Sequence, residues 1–298
     1  MKSNFRKRTR EGLGFLFFLS PAIIGFSLLT IYPFFSSLWM SFTNRLLYYP
    51  GDAIFIGLKN YEYLLTKYPL FWPALKNSLI YAFWSVILSN IIAILSAQLL
   101  TRNLRGTNIF RVLFYIPSIL PAISVVVMFS FIFDPSHGII NRTLLSLGMQ
   151  PRDLPLWLSG TESALPTLVI ISLWGFGGKM IVNIAGINAI PKTCYEAAEI
   201  DGANAFTQFF KITLPLLTPS IFYGLITSII AGVQVFTEAF VGSGGVVSFY
   251  VPVLYNMAYT GTYQMGLASA MAWILFVIVA ILVFLNMFLS KFYVYYEY

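Results

Sequence analysis

Carboxylates gather in one place in this chain. Glu196, Glu199 and Asp201 fall inside the hydrophilic run Pro191-Lys-Thr-Cys-Tyr-Glu-Ala-Ala-Glu-Ile-Asp-Gly-Ala203. Acids this close could exchange protons, but catalysis needs them held in reach of a reacting group. These three stand on a short water-facing segment between apolar stretches, which reads as a solvated or docking face. The spacing predicts a helix over 196–200, with carboxylates on one side and Ala197, Ala198 and Ile200 on the other. Asp201-Gly202 ends it, because glycine accepts the left-handed conformation of a tight helix exit. Phe206, Phe209 and Phe210 follow at near-helical spacing, and Lys211 closes the polar run before Ile212-Thr-Leu-Pro215. Two amphipathic pieces around a glycine elbow suit the docking of a soluble partner.

Other reactive constellations fail on residue type. His137, the single histidine, lies in Asp134-Pro-Ser-His-Gly138 and reads as a solvated turn, leaving no Ser/His/Asp arrangement. Gly175-Phe-Gly-Gly-Lys-Met180 imitates a phosphate loop, yet Leu173 stands where the first glycine belongs and Met180 where magnesium needs a serine or threonine. One cysteine, Cys194, excludes an internal disulfide and a thiolate cluster. No catalytic residue, metal site or cofactor site is expected in the chain.

The run Tyr195–Ala203, followed in register by Ile212-Thr-Leu-Pro215, resembles the EAA signature loop of the membrane subunits of bacterial binding-protein-dependent ABC importers. It looks most like their carbohydrate branch, the maltose and glycerol-3-phosphate type permeases. Ser20-Pro-Ala22, Tyr32-Pro33 and Gly266-Leu-Ala-Ser-Ala-Met-Ala-Trp273 are similar to that branch too, so the resemblance covers nearly the whole chain. It implies a cytoplasmic coupling loop at 191–213, in which Glu196, Ala197, Ala198, Asp201, Gly202, Ile212, Leu214 and Pro215 engage an ATPase. In the family this Glu meets a basic residue of that ATPase. The implied partners are a second homologous permease, a cytoplasmic ABC ATPase dimer carrying ATP and Mg, an extracytoplasmic solute-binding protein and a carbohydrate substrate. The chain departs from the maltose-type large subunit in having no extra N-terminal spans and no large external domain.

Composition says what must hold these residues in place. Of the 298 residues 58% are hydrophobic and 10% charged, with a mean hydropathy of +0.79. Soluble domains carry about 25% charged residues, so the lipid bilayer is this chain's solvent. The net charge of +7 is no nucleic-acid footprint, since the basic residues sit at the ends of apolar stretches. A hydrocarbon core about 30 Å thick takes roughly 20 residues of helix. An all-α polytopic protein with six transmembrane helices is expected, in one domain over 1–298 behind an N-terminal tail at 1–11. The spans fall at about 12–42, 77–101, 110–133, 164–190, 214–238 and 267–290. Gly242-Ser-Gly-Gly245 and Pro252 divide the stretch before the last span into a loop and a short re-entrant piece. Pro33, Pro117, Pro121, Pro215 and Pro219 should break or kink their helices.

Basic residues set the orientation. Lys2, Arg6, Lys7, Arg8 and Arg10 lead the chain, and alternate loops carry Arg102, Arg105 and Arg111, then Lys192 and Lys211, then Lys291. The expected location is the bacterial inner membrane, multi-pass, with both termini and the EAA loop cytoplasmic. The first apolar run is far longer than a signal-peptide core and reads as a retained anchor.

Polar and small residues within spans are costly, and so informative. Gly224, Ser228 and Gly232 recur at four-residue spacing, then come Gln234, Thr237 and Glu238. Such a stripe either lets helices approach closely or offers a smooth wall to a sugar ring. The preceding span carries Trp174 and Gly175, with Gly178, Lys179 and Asn183 beyond. In the family, the helices flanking the EAA loop line the translocation path. Trp174, Gly175, Ser228, Gly232, Gln234 and Glu238 are therefore read as a substrate path, since sugars need a flat wall and a few polar groups. The resulting expectation is a permease subunit of an ATP-driven sugar importer, not itself an enzyme. The alternative is a stand-alone secondary transporter of a small solute. It would need an embedded ionisable network, for which only Lys179 and Glu238 are candidates, and often shows inverted repeats, of which none is apparent.

Overall fold

A computed structural model describes residues 17–49, 51, 53–102 and 105–295; the tail at 1–11 and the start of the first expected span lie outside them. Helices are the only regular structure among the described residues, apart from one isolated bridge between Thr43 and Phe55. The chain forms two compact units, Met1–Tyr68 with Leu254–Leu275, and Pro69–Val253 with Phe276–Tyr298.

In the first unit, α1 (Phe17–Ser41) is long and apolar enough to cross a membrane. Pro33 does not break it. The proline sits in the first turn of the α-helical part Tyr32–Ser41, and the residues before it, Ser27–Ile31, widen to a π turn. Asn60, in a short helix Lys59–Thr66, ties down the exit of α1 by donating to the Ser41 and Thr43 carbonyls, both at 2.8 Å. Trp273 donates from its indole to Ser37 Oγ at 3.2 Å and packs on Phe34 at 4.7 Å.

The second unit is built on α2 (Phe71–Leu100), which starts ahead of the expected residue 77. Its buried positions are largely small: Ala74, Ser78, Ala82, Ser85, Ser89, Ala93 and Ala97 recur every three or four residues along one face. Neighbouring helices can therefore come close. Three bent helix pairs surround it. The pair α3 (Thr107–Ile119) and α4 (Ala122–Ile132) meets at 100°, so the stretch read as one kinked span at 110–133 is two helices around a corner. Leu120 is extended at ψ 144° because the ring of Pro121 excludes helical geometry from the residue before it. The pair α5 (Ala164–Leu173) and α6 (Gly177–Ala189) bends by 44° at Trp174–Phe176. After α7 (Lys192–Ile200), the pair α8 (Ala205–Leu216) and α9 (Thr218–Val233) bends by 64° between Pro215 and Pro219.

The span expected at 214–238 does not run to its end as a helix. It stops at Val233, the backbone is irregular over Gln234–Phe236, and a π turn Glu238–Gly242 follows. A short helix Tyr250–Tyr255 precedes α10 (Met265–Tyr293), a third helix long and apolar enough to span alone.

The glycine stripe of α9 lies on α2. Asn90 Nδ2 donates to Ser228 Oγ at 3.2 Å, and a Cβ placed on Gly232 would stand 3.2 Å from Ala82 Cα. The stripe is therefore a packing seam. Gly232→Leu is expected to lose about 1–3 kcal/mol through overpacking. Yield and thermal midpoint in detergent should both fall, while Gln234→Ala, on an exposed side chain, leaves them unchanged. Equal midpoints for the two variants would contradict the seam.

Candidate functional site: a hydrophilic loop and two cavities

The hydrophilic loop folds as two helices about one elbow. Helix α7 starts after Pro191 and closes with the Gly202 N–H bonded to the Glu199 carbonyl at 3.0 Å and the Ala203 N–H to the Ala198 carbonyl at 2.8 Å. That paired ending requires a left-handed residue between, and Gly202 has φ +77°. Asn204 then caps α8, its side-chain oxygen accepting from the Thr207 N–H at 2.9 Å.

Which face of α7 packs differs from the sequence expectation. Cys194, Tyr195 and Ala198 are half-buried, whereas Ala197 is exposed and Ile200 is 87% exposed. At 100° per residue, Ile200 shares the outer side with Glu196 and Glu199, so alanine and isoleucine do not form one inward stripe. The outer surface thus shows carboxylates and grease together, with Phe206 of α8 also 73% exposed. Inwardly, the Tyr195 hydroxyl meets Thr213 Oγ1 at 2.9 Å, and Thr213 is fully buried. This contact joins the loop to the helix leading into the bundle. Neither residue was singled out from sequence for this contact; a tyrosine five residues before an isoleucine carried no signal of its partner. Ile212, Leu214 and Pro215 are half-buried around that anchor, where Phe209–Thr213 forms another π turn.

A cavity of about 550 Å³ opens among α2, α5, α6 and α9. Ser228, Gly232, Gln234 and Glu238 line it, together with Ser85, Ser89 and Lys179. A second cavity of about 300 Å³ lies beyond Lys179 and Thr227, which border both, and is lined by Gly175, Asn183 and Tyr223. Trp174 lines neither; its ring stands edge-on to Phe129 at 5.3 Å. The side chains of Gln234 and Glu238 make no hydrogen bond with any described residue, which leaves the amide to donate and accept and the carboxylate to accept toward a solute. Ser85 and Thr227 donate to carbonyls of their own helices and keep lone pairs for a ligand. Lys179 Nζ donates to Ser89 Oγ at 2.6 Å. Each of two helix breaks, Trp174–Phe176 and Gln234–Phe236, borders one of these cavities. Ser85 and Ser89 reach the cavity from the buried face of α2, an edge that is open because of where α6 and α9 stand.

Residues 89–296 match the family described as "Binding-protein-dependent transport system inner membrane component". The chain belongs to this family of membrane permeases. It is 38% identical to the probable ABC transporter permease protein YesP of Bacillus subtilis (strain 168), across 98% of this chain and 95% of that protein. It is 33% identical to the arabinooligosaccharides transport system permease protein AraP of the same organism, over 92% and 87% respectively. Identity to the lactose transport system permease protein LacF of Rhizobium radiobacter is 30%, over 96% of each. A bacterial ABC transporter involved in import of the acidic polysaccharide alginate shares the fold, with a TM-score of 0.82 at 21% identity over 97% of this chain and 98% of that one. The permease is thus an all-α, multi-pass inner-membrane component, of a family whose members carry no catalytic centre of their own.

Loop geometry in the permease rests on the elbow and on Tyr195. Gly202→Val forces a β-branched residue to positive φ, costing about 1–3 kcal/mol. Tyr195→Phe removes one hydrogen bond, worth about 1 kcal/mol. Limited proteolysis of the purified protein should cut within 191–213 faster in both, with the valine variant the more sensitive; wild-type rates in both would contradict this account.

Proposed function

We propose that this permease is the translocating subunit of an ATP-driven importer that carries a sugar or oligosaccharide into the bacterial cytoplasm. The observation that carries the proposal is the pair of helix breaks opening on polar cavities, on the two helix pairs that flank the coupling loop. Irregular backbone at membrane depth is tolerated where it lines a wet cavity, because water or solute can satisfy the freed groups. The lining is hydroxyls, an amide, an ammonium and a carboxylate beside small residues, a surface suited to a polyhydroxylated ring. Permeases named for arabinooligosaccharides and lactose are similar along nearly their whole lengths.

On this reading the three long helices and three bent pairs make six spans, with both termini and residues 191–213 cytoplasmic, as the Lys and Arg distribution favours. Glu196, Glu199, Ile200 and Phe206 offer a basic, partly apolar groove of an ABC ATPase its complement. That partner, as a dimer, holds ATP and Mg. A second permease of the same family completes the pathway, and an extracytoplasmic binding protein delivers the sugar. When the ATPases close, the docked α7 is pushed; Tyr195 and the bent α8–α9 pair pass the displacement to the wall bearing Gln234.

Two measurements test the proposal. In the reconstituted importer, Gln234→Ala should lower sugar uptake about fivefold through one lost hydrogen bond, with complex yield intact. Glu196→Lys should abolish sugar-stimulated ATP hydrolysis. Wild-type behaviour of both variants sinks the reading. For topology, in a Cys194→Ser background, an impermeant thiol reagent applied to intact cells should label Gln150→Cys and spare Asn204→Cys. The reverse pattern inverts the orientation.

A further inference from the structure

We infer that the cavity selects a sugar bearing a carboxylate, with Lys179 as the residue that binds it. The inference rests on the sugar-import reading and narrows it to uronate-containing substrates. Lys179 stands in the first turn of α6, inside the expected span 164–190 and 11 residues before Ile190. That distance is about 16 Å of helix, too far for a lysine side chain to reach the membrane surface. The ammonium therefore stays at depth, and an embedded cation needs a counter-charge.

None is in place among the described residues. Among them, Nζ makes its one polar contact with the neutral Ser89 hydroxyl, at 2.6 Å. The ion pairs among the described residues are His137 with Asp134 and Arg152 with Asp153, both far from the cavity in sequence and element. Glu238 lines the same cavity without forming an ion pair with Lys179. Two further features favour an anion at this point. Lys179 borders both cavities, so a solute moving along the groove passes it. Lys179 also lies in the first turn of α6, the end of a helix at which the dipole favours an anion.

The number of charges distinguishes a carboxylate from a phosphate. A single lysine balances a monoanion, whereas a phosphate dianion takes several donors. The remaining lining then serves the ring: Gln234 and the serine and threonine oxygens meet hydroxyls, and Glu238 accepts from them.

The test uses the complete importer in proteoliposomes, supplied with a uronate disaccharide, its neutral methyl ester, or a phosphorylated disaccharide of equal size. The binding protein's affinity for each sugar is measured separately, so that delivery and passage are not confused. Wild type should take up the uronate in preference to the ester and the phosphate. Lys179→Met should lower uronate uptake about tenfold, the loss of one charge-assisted hydrogen bond, and spare the ester. Lys179→Arg, which keeps the charge, should retain most of the preference for the acid. The inference is overturned if the ester moves as well as the acid, if the phosphate is preferred, or if Lys179→Met reduces complex yield in step with uptake. That last outcome assigns the ammonium to a carboxylate of the second permease. Failure of every sugar to move would instead overturn the import reading itself.

Discussion

A backbone N–H or carbonyl with no partner is far more expensive in hydrocarbon than in water. That cost governs where this chain can stop being helical. Inside the spans expected for the second unit, the breaks away from proline fall at Trp174–Phe176 and Gln234–Phe236, and each borders a cavity lined by polar side chains. Where prolines remove the N–H themselves, the chain turns corners of 100° and 64°. Both routes satisfy one requirement: freed polar groups must face something other than lipid tails.

The same requirement explains the composition of α2. Lipid is as apolar as leucine, so burying greasy surface does little to hold helices together in a membrane. Close contact has to come from small side chains and from a few hydrogen bonds. The alanines and serines of α2, with Gly224, Ser228 and Gly232 opposite, supply the first; Asn90 to Ser228 supplies the second. One edge of that seam is the cavity wall, so the contacts that hold the unit together also shape the space through which a solute would pass.

The helical class, the polar island, its elbow at Gly202 and the corner residues Pro121 and Pro219 were legible in sequence, because each depends on local rules of charge, φ or a missing N–H. The end of α9 at Val233 was not. Nothing in Gln-Val-Phe-Thr punctuates a helix. The packed face of α7 was misread for a similar reason: local polarity said that alanine and isoleucine should turn inward, while a tyrosine–threonine contact 18 residues apart decided the matter. Trp174 is read from sequence as part of the substrate path, but its ring stands edge-on to Phe129 of α4, a contact that no local rule predicts.

The wide turn at Phe209–Thr213 has a mechanical corollary. A π turn holds one residue more than an α turn, and it stands here between the exposed loop and the helix that ends at Val233. Absorbing that extra residue rotates whatever follows by about 100° and displaces it by about 1.5 Å along the axis. Torque, rather than a straight thrust, is what such a joint transmits, and the surface it would turn is the one that carries the unpaired amide of Gln234.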